Sequence, residues 1–314
     1  MKKILVTGSI AYDTIMVFPD RFKNHLLADQ LHILNVCFLT PEMRREYGGT
    51  AGNIGYNLKL LGEDPLVMAT VGEDIEPYLQ RFAGLGIGTG LFRRIPGEFT
   101  AQAFITTDLD DNQIIAFHPG AMNRSHESRI AASLGAGVAI IGPDGKEGML
   151  QHAQQCAELG VPFLFDPGQG LPMFSAQELM QFIEAADYVA VNDYEGKMLE
   201  EKTGRSLKQL SGSVEAFICT LGAKGSVIHT GGQSHEIPSV PASAVVDPTG
   251  CGDAYRAGLL YGIARGWDWP SAGRLASLMG SIKIAHRGAQ NHAPTSQEVE
   301  ARFRQAFGYS PWKG

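Results

Sequence analysis

Nine consecutive residues near the C-terminus, Val245-Val246-Asp247-Pro248-Thr249-Gly250-Cys251-Gly252-Asp253, have the types and spacing that phosphoryl transfer requires. Glycine lets a backbone approach a ligand closely and adopt unusual dihedrals. The apolar run Ala254–Ala264 that follows reads as a helix. The amides of Gly250, Cys251 and Gly252 therefore stand at a helix N-terminus, where the dipole favours negative charge. Such an anion hole suits the charge on a transferring phosphoryl group. At its edge, Asp253 is positioned to take a proton from an attacking hydroxyl. A lone Gly-x-Gly-Asp before a helix reads as an N-cap, but the full nine-residue run favours catalysis.

The elements that must hold this run follow from the hydrophobic pattern. A buried strand over 4–8 closes on glycine, a helix covers 51–61, a strand 66–70 and a helix 76–85. Residues 12–50 read as irregular, interrupted by Pro19 and Pro41. Segments 101–106 and 113–117 read as a hairpin about the polar turn Asp108–Asn112. Short apolar strands at 138–141, 162–165, 188–191 and 216–220 then alternate with helices at 147–158, 176–185 and 194–202. That alternation predicts an α/β fold, a doubly wound and mostly parallel sheet with helices on both faces. A second hairpin near 225–237 and helices near 253–265, 271–285 and 296–306 complete the chain. Residues 1–314 are expected to form one domain. A small β-sheet lid built from segments near 12–50 and 98–118 would exclude water from the site.

Bulk properties narrow the function. The chain has 314 residues and a formal charge of -7 without a dense basic stripe, so a nucleic-acid polymer is an unexpected partner. Cys37, Cys156, Cys219 and Cys251 are scattered, which suits reduced thiols better than a disulfide framework or zinc site. The apolar run after Met1-Lys2-Lys3 stops at Thr7, too short for a secretory signal, and no membrane-spanning run follows. The expectation is a cytoplasmic enzyme with no membrane partner. The sequence has no Gly-x4-Gly-Lys-Ser/Thr loop, no dinucleotide glycine fingerprint in Gly84–Gly90 and no protein-kinase His-Arg-Asp loop.

From Gly8 to Gln290 the sequence resembles the ribokinase-like (PfkB) family of carbohydrate and nucleoside kinases. Asp247 with Thr249-Gly250-Cys251-Gly252-Asp253 is similar to its C-terminal signature, with an inserted Pro248 and Cys251 in place of a small residue. The resemblance implies ATP as phosphoryl donor, and an Asn-x-x-Glu element, here Asn192 and Glu195, that organises Mg²⁺ through water. Magnesium keeps most of its waters, so one Glu and one Asn suffice; as a purely local feature, the same residues make a good helix start. Thr220, Gly222 and Gly225 resemble the segment along the ATP phosphates, and Ser277 lies on the helix that resembles the adenine-pocket wall. Gly48, Gly49, Asn53 and Asp13 resemble the elements that grip sugar hydroxyls; carboxylate and amide form a natural hydroxyl clamp. Their local alternatives are a tight turn and a strand-end cap. Asp247 and Thr249 resemble part of a monovalent-cation site, which would make K⁺ a further cofactor.

Within the family, Gly48–Asn53 and Ala116–Met122 look most like adenosine-kinase-like nucleoside kinases. Phe104 and Phe117 lie on the hairpin where a purine could stack, or they pack the hairpin itself. A fructose 6-phosphate kinase would need cations for the existing phosphate; Arg93 and Arg94 are candidates, in a segment that reads as a loop without a partner. The acceptor expected first is a nucleoside 5′-hydroxyl, then a free sugar such as ribose, then a sugar phosphate. A non-catalytic nucleoside sensor on the same fold is the alternative of another class, disfavoured by the retained Asp253. A homodimer through the lid is an open partner expectation.

Overall fold

The computed structural model describes residues 2–26, 35–110 and 112–312. Seven parallel strands form its centre: β1 (Lys3–Thr7), β4 (Leu66–Val71), β5 (Leu91–Arg94), β8 (Ala136–Ile141), β9 (Phe163–Phe165), β10 (Tyr188–Asn192) and β11 (Ala216–Thr220). The antiparallel pair β12 (Ser226–Thr230) and β13 (Gln233–Ile237) extends one edge, giving the order β13-β12-β11-β10-β9-β8-β1-β4-β5.

Strand alternation divides the interior in two. On β8, Val138 and Ile140 enter one core while Ala139 and Ile141 enter the other; Ile4 and Val6 of β1 oppose Leu5 in the same way. The first core is roofed by α1 (Thr50–Leu60), α2 (Glu76–Leu85), α7 (Cys251–Ala264), α8 (Trp269–Ile284) and α9 (Ser296–Phe307). The second is roofed by α3 (Lys146–Leu159), α4 (Ala176–Ala185), α5 (Asp193–Thr203) and the short α6 (Leu207–Ser211). Burial on both faces is why these strands read as continuous apolar runs. The expected doubly wound α/β fold is therefore present.

A second sheet has the order β3-β2-β6-β7, from β2 (Ala11–Val17), β3 (Glu42–Gly48), β6 (Ala101–Thr107) and β7 (Gln113–His118). Two strands thus occupy the ends of the stretch that reads as irregular in sequence, whose residues 27–34 lie outside the described residues, as does Asp111 of the hairpin turn. β3, Glu-Met-Arg-Arg-Glu-Tyr-Gly, carries no apolar alternation because it is an exposed edge strand whose conformation comes from pairing with β2. β5 and α6 also go beyond the sequence reading. Arg93 and Arg94 lie on β5, not in a loop, and each has a partner, Glu127 at 3.1 Å and Glu76 at 3.2 Å.

Candidate active site

The candidate residues collect at the C-terminal edge of the parallel sheet, where open α/β folds form their ligand crevice. Gly8 and Ser9 follow β1, Asp166 follows β9, and Asn192 and Thr220 end β10 and β11 side by side in register. α7 starts above this edge. Its N-cap, Gly250, has φ +76°, and a Cβ there would lie 2.7 Å from the Ala289 Cβ. Only glycine satisfies both constraints. The expected anion hole needs one amendment, because the Cys251 amide donates to Pro248 O at 3.1 Å in a tight turn. The amides of Gly250, Gly252 and Asp253 make no such turn bond. The Cys251 thiol is pushed up to about 11 by burial, so it is a neutral side chain near neutral pH.

Across the crevice, Asn53 on α1 reaches the Asp253 carboxylate, with Nδ2 donating to Oδ2 at 2.8 Å. This contact joins the N-terminal and C-terminal motifs across 200 positions of sequence. Gln290 orients Asn53: its Nε2 donates to Asn53 Oδ1 at 3.0 Å and to the Tyr78 hydroxyl at 2.6 Å. Tyr78 in turn donates to Gly48 O at 2.8 Å. Gly49, at φ +85°, turns the chain into α1 so closely that a Cβ would sit 2.5 Å from Ser9 O. The tight-turn reading of Gly48-Gly49 therefore holds, and the turn is what delivers Asn53 to Asp253.

Burial pushes the Asp253 carboxyl up to about 7, with the charges of Asp166 and Asp13 adding to the rise. The Asn53 hydrogen bond and the Arg256 guanidinium oppose it. A carboxyl poised near neutrality is well matched to proton abstraction at physiological pH. Asp13 is raised to about 6, first by burial and then by Glu46 and Asp247. It lies against Gly48, where a Cβ would come within 2.7 Å of its Oδ2.

Strand register decides which phenylalanine belongs with Asp13. Asp13 pairs with Glu46 on one side and Ala103 on the other, and Ala103 pairs with Phe117. Paired residues share a face, so Asp13, Glu46 and Phe117 point the same way. That face meets the segment beyond α8, where Asn291 Nδ2 donates to Glu46 Oε2 at 2.8 Å. Phe104 pairs with Thr14 and Ala116 and so lies on the opposite face. The period-2 geometry of β6 therefore separates the two rings expected together against a purine, and only Phe117 shares the face of Asp13.

Asn192 and Glu195 form a reciprocal capping box at the start of α5. Glu195 N donates to Asn192 Oδ1 at 2.7 Å, and Asn192 N donates to Glu195 Oε2 at 2.8 Å. The helix-start reading is correct, and it leaves Glu195 Oε1 and Asn192 Nδ2 without protein partners among the described residues. Burial raises the Glu195 carboxyl, with Asp166 adding to it. A nearby cation would favour its charged form, so the pair fits a magnesium ion carried mainly by water and phosphate. Among the described residues no three His, Cys, Asp or Glu side chains gather as a metal cluster.

Thr220 donates to Val191 O at 3.4 Å between neighbouring strand ends. Gly225, at φ +91°, would drive a Cβ to 2.1 Å from Ile237 O, whereas Gly222 at φ +58° faces open space. Ser277 donates to Pro238 O at 2.8 Å, tying α8 to the end of β13. These residues border the sheet end but are not hydrogen-bonded to the Asn53–Asp253 cluster.

Two partners of the cluster go beyond the sequence reading. Arg256, one turn below Asp253, is buried and grips Asp166 with Nε at 3.0 Å and Nη2 at 3.1 Å. Its signal was available, because it is the only charged residue in the apolar run Ala254–Ala264. Gln290 carried no such signal, since an amide in a Gly-Ala-Gln turn is unremarkable until its partners are known.

A glycine-cradled helix terminus, an aspartate raised toward neutrality and an amide hydrogen-bonded to it thus meet at the C-terminal edge of the sheet. The family model described as pfkB family carbohydrate kinase matches residues 1–296. The chain belongs to this family and is an ATP-dependent kinase acting on a hydroxyl group. It is 30% identical over 308 residues to a nucleoside kinase of Methanocaldococcus jannaschii, covering 96% of this chain and 97% of that protein. A nucleoside kinase of Burkholderia thailandensis solved in complex with inosine is 53% identical, with TM-score 0.90 and coverage of 99% of this chain and 100% of that one. The same enzyme in complex with ADP-inosine gives TM-score 0.88 at 54% identity, covering 99% and 98%.

Proposed function

We propose that this kinase transfers the γ-phosphoryl of ATP to the 5′-hydroxyl of a purine nucleoside, adenosine or inosine. The observation that carries the reading is the 2.8 Å contact between Asn53 and Asp253. It sets a hydroxyl-binding amide beside a base whose carboxyl is near neutrality. The inosine-bound Burkholderia enzyme, alike over nearly the whole chain, supports a nucleoside acceptor.

In this mechanism Asp13 and Asn53 hold the ribose so that its 5′-hydroxyl faces Asp253. Asp253 accepts the hydroxyl proton as the oxygen attacks. The free amides at the start of α7 receive the phosphoryl charge. Glu195 and Asn192 would hold magnesium through water, and the ion would supply charge neutralisation on the phosphates. Phe117, on the Asp13 face, offers a stacking surface for the base, and the small sheet acts as a lid that excludes water. Its exposed apolar side chains on the face away from Asp13, Met43, Phe104 and Ile114 among them, support a homodimer formed through the lid, which sedimentation would test. No helix among the described residues is long and apolar enough to cross a membrane.

The test is the initial rate of ADP formation from Mg-ATP with adenosine or inosine against ribose and fructose 6-phosphate. A large preference for nucleosides in kcat/KM is expected. Turnover confined to ribose would keep Asp253 as base and discard the base-stacking role of Phe117.

A further inference from the structure

Lys283 is among the largest side chains completely removed from solvent. It sits near the end of α8, and among the described residues no carboxylate comes within ion-pair distance of it. Burying an unpaired ammonium is costly by several kcal/mol, so its ligands require an account. They are main-chain carbonyls: Nζ donates to Asp247 O at 2.6 Å and to His286 O at 3.1 Å. Carbonyl oxygens around a desolvated positive charge are how proteins hold alkali cations.

The two carbonyls belong to segments that must stay together for the anion hole to keep its shape. Asp247 opens the turn that leads to Gly250, and His286 begins the segment that carries Gly288, Ala289 and Gln290. The same segments are stitched by Val246 N to Ile284 O at 2.9 Å and by Gly288 N to Asp247 Oδ2 at 2.8 Å. Thr249 N takes Asp247 Oδ1 at 2.9 Å. Both carboxylate oxygens of Asp247 and its carbonyl are therefore engaged. The expected K⁺ site at Asp247 and Thr249 does not fit these residues, because the chain's own ammonium already occupies the carbonyl oxygens.

We propose that Lys283 is a built-in cation, a positioning residue that holds the Asp247–Cys251 turn in its working shape, so that turnover needs no added monovalent cation. The proposal rests on the reading of Gly250–Asp253 as the phosphoryl site. It also accounts for a lysine buried beside a catalytic loop without touching any reacting atom.

The experiment measures ATP-dependent turnover of the full chain in K⁺, NH₄⁺, Na⁺ and tetramethylammonium salts at constant ionic strength, for the parent, Lys283→Ala and Lys283→Met. The parent rate is expected to be the same in all four salts. Both variants should lose kcat with little change in KM, since a displacement of about 1 Å in a catalytic group costs up to ~10²-fold. K⁺ or NH₄⁺ should restore part of the rate to Lys283→Ala and raise its Tm, while leaving the Tm of the parent unchanged. Lys283→Met fills the volume with an apolar chain, so it should hold its fold without responding to K⁺. A parent rate that rises several-fold with K⁺ would overturn the proposal, as would full activity of Lys283→Met in tetramethylammonium. A Lys283→Ala protein that K⁺ and NH₄⁺ leave unchanged in both rate and Tm would also overturn it. Failure of the phosphoryl-site reading is separately visible, as an Asp253→Asn protein that keeps the parent rate in every salt.

Discussion

Asp253 combines two demands that pull against each other. The proposed role as base needs its carboxylate free to accept a proton, and folding places it where burial and the charges of Asp166 and Asp13 favour the protonated form. Asp253→Asn is expected to lower kcat by about 10²–10⁴-fold, the range for removing a general base. The effect on stability runs the other way. The raised carboxyl stabilises the fold while protonated, and that contribution is lost as pH rises toward and through about 7. Asp253→Asn should therefore melt at a higher temperature than the parent above pH 7, with the difference vanishing below the unfolded-chain value of about 4; a Tm series against pH reads this directly. The parent's kcat/KM should fall as pH drops below about 7. Asn53→Ala removes a donor that favours the charged carboxylate, so its acidic limb should move to higher pH. A pH–rate profile with an unmoved limb would separate Asn53 from the base.

At the scale of elements, the backbone decides which side chains can act. Gly49 and Gly250 hold positive φ at the entries to α1 and α7, and these two entries aim Asn53 and Asp253 at each other. In the small sheet, pairing with Ala103 puts Phe117 on the Asp13 face, while Phe104 stands one residue out of phase. Both rings are exposed, at 52% and 41%, so exposure cannot choose between them but register can. Phe117→Ala is expected to raise KM for nucleosides by about 5–150-fold, the equivalent of ~1–3 kcal/mol of lost stacking. Phe104→Ala should leave KM within twofold or so. Steady-state kinetics on the pair checks both, and equal effects would mean that the base does not approach from the Asp13 face.

Over the whole molecule, the site is assembled from both ends of the chain: β2 and α1 supply Asp13 and Asn53, and α7 with the segment after α8 supplies Asp253 and Gln290. A ligand that bridges these parts should stabilise the entire domain. Nucleoside at a hundred times its Kd is expected to add about 2.7 kcal/mol, read as a rise in Tm in differential scanning calorimetry without any nucleotide present. Asp13→Ala should abolish that rise without lowering the unliganded Tm, because Asp13 makes no protein hydrogen bond among the described residues and burial disfavours its charged form.

The sequence by itself determined the sheet and the motifs. Strands buried on both faces read as apolar runs, and the positive-φ turns before α1 and α7 read as Gly49 and Gly250, because burial pattern and backbone dihedral are carried by the residues themselves. Charged residues inside apolar helices, Arg256 and Lys283, were visible as exceptions, but their partners were not. Asp166 lies 90 positions from Arg256, and the Asp247 carbonyl lies 36 from Lys283. Only the tertiary structure decided the edge strand β3, which has no pattern of its own and exists by pairing with β2. It alone also decided the face of Phe117 and the chain from Gln290 through Asn53 to Asp253. Each depends on contacts between distant segments, and local periodicity and propensity carry no information about those.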